Sequence, residues 1–211
     1  MKISEIYYTI QGESSLAGFP FVFIRTSGCN LTCKWCDTQY AYYDGEEVII
    51  EEIAERVKRY NCKRAVITGG EPLLQKEIYP LTEMLLREGY ILSVETNGSL
   101  DISRLDKRIK IVMDIKCPDS GMSEKMLWEN IDVLMEKDEV KFVIANYSDY
   151  RWAIEKINKY SINNRCQVIF SPVFGVMDPR YLAEYIIQDK IAVRLQLQMH
   201  KYIWQPEKRG V

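Results

Sequence analysis

Short apolar, β-rich runs recur along this chain, with centres near residues 66, 93, 112, 141, 168 and 194, each 19 to 29 residues after the last. That interval holds one strand and one crossover, the rhythm of successive βα units that build a parallel sheet. The expected strands are Phe21–Thr26, Ala65–Thr68, Ile91–Glu95, Ile109–Ile115, Val140–Ala145, Cys166–Ser171 and Ala192–Gln198. Helical patterns lie between them at Ile50–Tyr60, Lys76–Glu88, Ser123–Glu136, Asp149–Tyr160 and Pro179–Gln188. In the first of these, Ile50, Ile53, Ala54 and Val57 share one face, while Glu51, Glu52, Glu55, Arg56 and Lys58 take the other. Asp178 before Pro179 reads as an N-cap followed by a first-turn proline.

Length narrows the architecture. An eight-stranded α/β barrel takes about 250 residues, and this chain has 211. The expected fold is therefore an incomplete α/β barrel of about six parallel core strands, in one domain spanning 1–211, with a doubly wound open sheet as the alternative. In either arrangement ligands collect at the carboxyl ends of the strands. The turns expected there are Gly28-Cys29-Asn30, Gly69-Gly70-Glu71-Pro72, Thr96-Asn97-Gly98-Ser99, Lys116-Cys117-Pro118-Asp119 and Ser171-Pro172-Val173. Glycine allows backbone to approach a ligand closely, so the chemistry belongs on this rim.

No apolar run approaches the roughly 20 residues of a membrane span, and Met1–Glu5 has no apolar signal region. A cytoplasmic location is expected. The formal net charge is −2, and lysines and arginines form no stripe, which argues against a nucleic-acid-binding face.

Three of the six cysteines, Cys29, Cys33 and Cys36, crowd into one loop with C-x3-C-x2-C spacing; Cys62, Cys117 and Cys166 are scattered. Thiolates on so short a loop can converge on an iron–sulfur cluster. With three protein ligands, one iron of a cubane stays open to bind a small molecule. A structural zinc site wants four ligands, and the single histidine, His200, is far off in sequence. A thioredoxin-like pair at Cys33 and Cys36 has no use for Cys29 or the glycine-rich turns. Cys62 and Cys166 read as small buried residues.

C-x3-C-x2-C followed one βα unit later by Gly69-Gly70-Glu71-Pro72 resembles the radical S-adenosylmethionine superfamily. The resemblance implies that the open iron chelates the methionine amino and carboxylate groups, that the Gly69–Pro72 turn lines the methionine end, and that one electron from the cluster releases a 5′-deoxyadenosyl radical. Glu5-Ile6-Tyr7-Tyr8-Thr9-Ile10-Gln11-Gly12-Glu13, Gly18-Phe19-Pro20, Phe23-Ile24-Arg25, Cys36-Asp37-Thr38, Glu95-Thr96-Asn97-Gly98 and His200-Lys201-Tyr202-Ile203 carry it further. From about residue 4 to about residue 206 the chain closely resembles the 7-carboxy-7-deazaguanine synthase family.

That family turns 6-carboxy-5,6,7,8-tetrahydropterin into 7-carboxy-7-deazaguanine with loss of ammonia, on the route to queuosine-type 7-deazapurines. The resemblance implies a 4Fe–4S cluster on Cys29, Cys33 and Cys36, and magnesium on Thr38. It puts S-adenosylmethionine against Trp35, Cys36, Asp37, Gly70, Gly98, Asp114, Ile115, Lys116, Ser171, Pro172, Val173 and Phe174. It gives the pterin to Ile10, Gln11, Gly12, Glu13, Arg25, Thr96, His200 and Pro206, with Arg25 gripping the substrate carboxylate as a bidentate fork. A flavodoxin or ferredoxin as electron donor and a homodimer are implied as well. Two departures stand out: Asp114-Ile115-Lys116 replaces the Ser-Pro-Lys of many members, and Glu207–Val211 follow Pro206. Bland alternatives are a surface ion pair for Arg25, a helix N-cap for Thr38, a plain turn for Gly98 and a structural imidazole for His200. Another radical enzyme, such as a glycyl-radical-enzyme activase, is the competing function, although it has no evident use for Ile10–Glu13, Arg25 and Thr38.

Overall fold

The computed structural model describes the chain from Met1 to Val211. Six strands run parallel and side by side: β2 (Pro20–Thr26), β4 (Arg64–Gly69), β5 (Ile91–Thr96), β6 (Lys110–Ile115), β7 (Glu139–Ile144) and β8 (Gln167–Pro172). The sheet order is β3-β1-β2-β4-β5-β6-β7-β8-β9, with β1 (Lys2–Ile10), β3 (Glu46–Glu47) and β9 (Arg194–Leu195) completing it. The order never reverses. Right-handed crossovers that always step the same way put every crossover helix on one face, so the sheet winds as an unclosed barrel and the doubly wound alternative falls.

The helices on that face are α1 (Ile50–Lys58), α2 (Ile78–Arg87), α3 (Tyr147–Lys159) and α4 (Pro179–Asp189), with a one-turn α5 (His200–Ile203) near the end. Strand alternation sorts the side chains into two populations. Val22, Ile24, Ile67, Val94, Phe142 and Phe170 face the helices and pack with Ile53, Leu81, Leu85, Tyr150 and Leu182 in one large core. Ile67 is fully buried there, and truncating it to alanine costs about 2–5 kcal/mol. The opposite parity, Phe23, Arg25, Thr68, Glu95, Asp114 and Lys141, lines the concave side. Polar side chains dominate that inner face, which is what a reaction chamber needs.

Three expectations need correction. The first 19 residues hold β1, an antiparallel partner of β2 with Ile6 opposite Ile24 and Ile10 opposite Pro20; its mixed tyrosine-rich pattern masks the alternation. Ser123–Glu136 is no α-helix but two 3-10 turns, Ser123–Lys125 and Trp128–Asp132. Tertiary bonds capture it: the Leu127 amide donates to Gly98 O at 3.0 Å. Buried Asn130 donates to Gly98 O (3.2 Å) and Leu100 O (2.8 Å), and accepts from the Ile102 amide (3.2 Å). Ala192–Gln198 shrinks to Arg194–Leu195, because the Gln196 side chain turns to the Ser14 backbone, accepting at 2.6 Å and donating at 2.7 Å. That exchange ties the loop after β1 to the segment after β9. The two ends of the chain thus meet beside the chamber.

Candidate active site

The rim begins with two glycines that the fold cannot replace. A Cβ on Gly70 would stand 2.0 Å from Gly28 O, and one on Gly69 (φ +147°) 2.3 Å from Thr26 O. The turn after β4 therefore lies backbone against backbone on the cysteine loop, and the Glu71 amide donates to Gly28 O at 2.8 Å. Glu71 itself is fully buried. Its carboxylate accepts from Thr96 Oγ1 (2.8 Å), the Asn97 amide (2.7 Å) and the Leu73 amide (3.1 Å). It is a bracket between two rim turns, and burial pushes its carboxyl up. Asn97 reaches Asn30 Oδ1 at 3.1 Å and so ties the cysteine loop to β5.

Cys29, Cys33 and Cys36 carry free, partly exposed thiols on one cavity wall. Burial pushes Cys29 and Cys33 up, against the pull of the Leu31 amide on the first and the Lys116 charge on the second. Each also feels the charge of Cys36. No group of three histidine, cysteine or acidic side chains converges tightly enough for a single metal ion. A cubane suits this spread, because each of its irons takes its own thiolate. The donor set fits the cluster. Thr38 caps a 3-10 turn (Gln39–Tyr42) by position, yet its side chain makes no capping bond; its Oγ1 lies 3.7 Å from Cys36 Sγ and faces the cavity.

The same cavity, of about 300 Å³, is also lined by a second, polar group of residues. Gln11 donates to Glu95 Oε1 at 3.1 Å and accepts the Glu13 amide at 3.2 Å. The Glu13 carboxylate takes Gln198 Nε2 and Lys141 Nζ, each at 2.5 Å. Burial alone would raise the Glu13 pKa, but the adjacent Lys141 ammonium holds it down at about 2. Glu95 moves the other way, raised by burial and by the charge of Glu13. Gly12 lies under His200, where a Cβ would come 2.3 Å from Nδ1. Burial lowers the His200 pKa while the charges of Glu13 and Asp37 oppose the shift.

Arg25 reaches the cavity from β2 with part of its fork engaged. Nε donates to Glu5 Oε1 at 2.7 Å and Nη2 to the Tyr7 hydroxyl at 2.8 Å, while Tyr40 donates to the same Glu5 oxygen at 2.7 Å. The guanidinium keeps both N–H groups of Nη1 and one of Nη2 for a substrate, so its end can still meet a carboxylate at two points while the Nε side is committed to the scaffold. Arg25 is not a surface ion pair, with its side chain 13% exposed.

Most of the expected site residues share this cavity: Gln11, Gly12, Glu13, Arg25, Cys29, Cys33, Trp35, Cys36, Asp37, Thr38, Gly70, Thr96, Asp114, Lys116, Val173, Phe174, His200 and Pro206 all line it. Ile10, Gly98, Ile115, Ser171 and Pro172 do not. Ile115 belongs to the helix-side core because its parity is opposite to that of Asp114. Gly98 is a left-handed turn (φ +71°) packed on Met113, and Ser171 is buried with an unpartnered hydroxyl. Residues 207–211 line the mouth, held by Arg209 over the Tyr40 ring at 3.6 Å and beside Asp44 at 3.3 Å. Lys141, Glu95, Tyr7, Tyr40, Gln198 and Lys201 line the cavity too and went unremarked as site residues. A lysine within the expected strand Val140–Ala145, whose other residues are all apolar, is the available signal for the first.

The radical SAM superfamily profile matches residues 23–186. A 7-carboxy-7-deazaguanine synthase of Chlorobaculum tepidum is 44% identical over 214 residues, covering 100% of this chain and 97% of the relative. Another, of Koribacter versatilis, is 40% identical with full coverage of both chains. The crystal structure of QueE from Escherichia coli superposes with a TM-score of 0.79 at 23% identity, over 94% of each chain, and so shares the fold. The chain belongs to the radical SAM superfamily and, within it, to the 7-carboxy-7-deazaguanine synthase family.

Proposed function

We propose that this chain converts 6-carboxy-5,6,7,8-tetrahydropterin to 7-carboxy-7-deazaguanine with release of ammonia, as a carbon–nitrogen lyase of 7-deazapurine biosynthesis. One observation carries the reading: the cysteine loop and the Gln11–Glu13, Arg25 and His200 group line one and the same cavity. Its volume of about 300 Å³ sits at the lower end of small-molecule pockets.

As a radical SAM enzyme the chain uses a 4Fe–4S cluster and S-adenosylmethionine, which supply one-electron chemistry and hydrogen abstraction. Cys29, Cys33 and Cys36 hold the cluster. Trp35, Asp37, Gly70, Lys116, Val173 and Phe174 wall the space beside it, and the glycine turn admits backbone close to the methionine end. Thr38 offers a hard oxygen to magnesium, whose remaining shell comes from substrate oxygens and water.

The pterin has a donor-rich pyrimidine edge and a carboxylate. Ionised Glu13 accepts from the first. Thr96 adds a hydroxyl, and the free N–H groups of Arg25 meet the carboxylate in a chamber where a charged hydrogen bond is strong. His200 and residues 207–211 close the mouth and exclude water. A flavodoxin or ferredoxin delivers the electron, and a second copy of the chain completes a homodimer in the cytoplasm.

The test is anaerobic turnover of reconstituted protein with S-adenosylmethionine, dithionite and carboxytetrahydropterin, read by mass spectrometry. The expected product is the carboxydeazaguanine. Appearance of 5′-deoxyadenosine without any deazapurine would keep the superfamily chemistry and reject the substrate.

A further inference from the structure

Lys141 lies in β7 at a position whose parity sends its side chain into the chamber, where it is 12% exposed. Its Nζ is 2.5 Å from Glu13 Oε2 and 3.1 Å from Asp114 Oδ2. The two acids come from elements far apart in the sequence. Glu13 follows β1 in the loop that also brings Gln11 and Gly12. Asp114 belongs to β6, and its Oδ2 also takes Lys116 Nζ at 3.1 Å, on the side of Cys33. The second oxygen of Asp114 is buried with no partner at all. Neither acid touches the other. The ammonium joins them.

We propose that Lys141 is a positioning residue of the reaction: a single ammonium bridges Glu13, which meets the pterin, and Asp114, which also pairs with Lys116, and holds both carboxylates in one register. The role rests on Glu13 meeting the pterin.

The charges facing this ammonium are Glu13 from the loop after β1, Glu95 from β5, and Asp114 and Lys116 from β6, with His200 of α5 facing Glu13 in turn. Three acids against two lysines leave no spare cation. Removing Lys141 leaves Glu13 in the interior beside Glu95 with the neutral Gln198 amide and no adjacent lysine, and a buried carboxylate that has lost its cation protonates more readily. A protonated Glu13 gives up an acceptor position that the pterin edge requires. The loss is then pH-dependent, which a purely structural lysine would not produce.

Lys141→Gln and Lys141→Arg decide the matter in the cluster-loaded enzyme. The first readout is independent of activity: the side-chain carboxyl resonance of Glu13 in protein labelled with 13C-glutamate, assigned by its absence from Glu13→Gln. In the parent it stays in the ionised position down to about pH 4, while in Lys141→Gln it titrates between about pH 5 and 8. The second is kcat/KM for carboxytetrahydropterin against pH. Lys141→Gln is expected to lose about tenfold more at pH 6 than at pH 8, mainly through KM, and Lys141→Arg to recover the parent profile. If Lys141→Gln does not fold, Lys141→Gln with Asp114→Asn removes one neighbouring negative charge and the Glu13 titration is read there. A Glu13 resonance that titrates as in the parent, or an arginine variant with the glutamine variant's profile, overturns the role. Should the parent fail to turn over the pterin, the substrate reading falls alone, and the resonance still decides the bridge.

Discussion

Arg25 Nε donates to Glu5 Oε1 at 2.7 Å across the antiparallel β1–β2 pair, where the two residues stand opposite each other. The bond spends one edge of the guanidinium on the scaffold and fixes the orientation of the rest. Tyr7 takes a second N–H at 2.8 Å.

Lysine at position 25 keeps the charge but cannot satisfy Glu5, Tyr7 and a substrate carboxylate at once. Arg25→Lys is expected to lower kcat/KM for carboxytetrahydropterin by on the order of tenfold or more, the worth of a charged hydrogen bond of about 1.5–3 kcal/mol. Iron content is expected to stay at the parent level. Steady-state kinetics and iron analysis check both halves; unchanged efficiency would show that the carboxylate is held elsewhere.

The six cysteines are expected to divide into two sets. Cys29→Ala, Cys33→Ala and Cys36→Ala each remove one of three cluster ligands and are expected to abolish activity and visible absorption after anaerobic reconstitution. Cys117 and Cys166 are buried in the helix-side core and do not line the cavity, out of reach of the cluster. Cys62 donates to Pro20 O and Arg64 O, each at 3.6 Å, away from the rim. Alanine at any of these three is expected to retain full iron and sulfide, and an iron-poor Cys62→Ala would upset the division.

Much of this site was legible in the sequence because its chemistry is local. The cysteine loop, the glycine turn and the Gln11–Glu13 segment are each short, and strand alternation put most of their partners on one rim. What stayed hidden depends on register. Lys141 and Glu95 become site residues only when β5, β6 and β7 align in parallel with Thr96 beside Met113 and Asp114 beside Lys141. The Ser123–Glu136 segment has helical spacing, yet buried Asn130 gives its side chain to the Gly98–Ile102 backbone, a tertiary demand that local propensity does not encode. The resemblance likewise assigned Ile115 to the cofactor, whereas its strand parity sends it to the core.

Thr38 combines a hydroxyl that makes no capping bond with a place beside Cys36 and an opening on the cavity. Thr38→Ala is expected to weaken the magnesium activation of turnover about tenfold, the worth of one lost hydrogen-bond-scale contact of about 1.4 kcal/mol. Reductive cleavage of S-adenosylmethionine is expected to change little, since no cluster ligand is lost. Magnesium titrations of both activities provide the check, and equal activation of mutant and parent removes Thr38 from the metal.

His200 is the single histidine of the chain, which makes its titration readable in whole-protein stability. Burial lowers its pKa in the folded state, and the charges of Glu13 and Asp37 only partly restore it. An unfolded imidazole takes up its proton near about pH 6.5, so just below that pH the unfolded chain binds more protons than the folded one. Stability then falls as pH drops from about 7 through 6.5 and levels off once the folded imidazole has also titrated. Glu95, raised by burial, tilts the curve oppositely, its contribution fading as pH climbs above the ordinary carboxylate range. The difference between parent and His200→Gln isolates the imidazole, because Glu95 is common to both. The thermal midpoint of the parent is expected to fall more steeply than that of His200→Gln between about pH 7 and 5.5. Parallel midpoint curves would mean that the ring is as easily charged in the fold as in water, and that Gly12 packs against a solvated side chain.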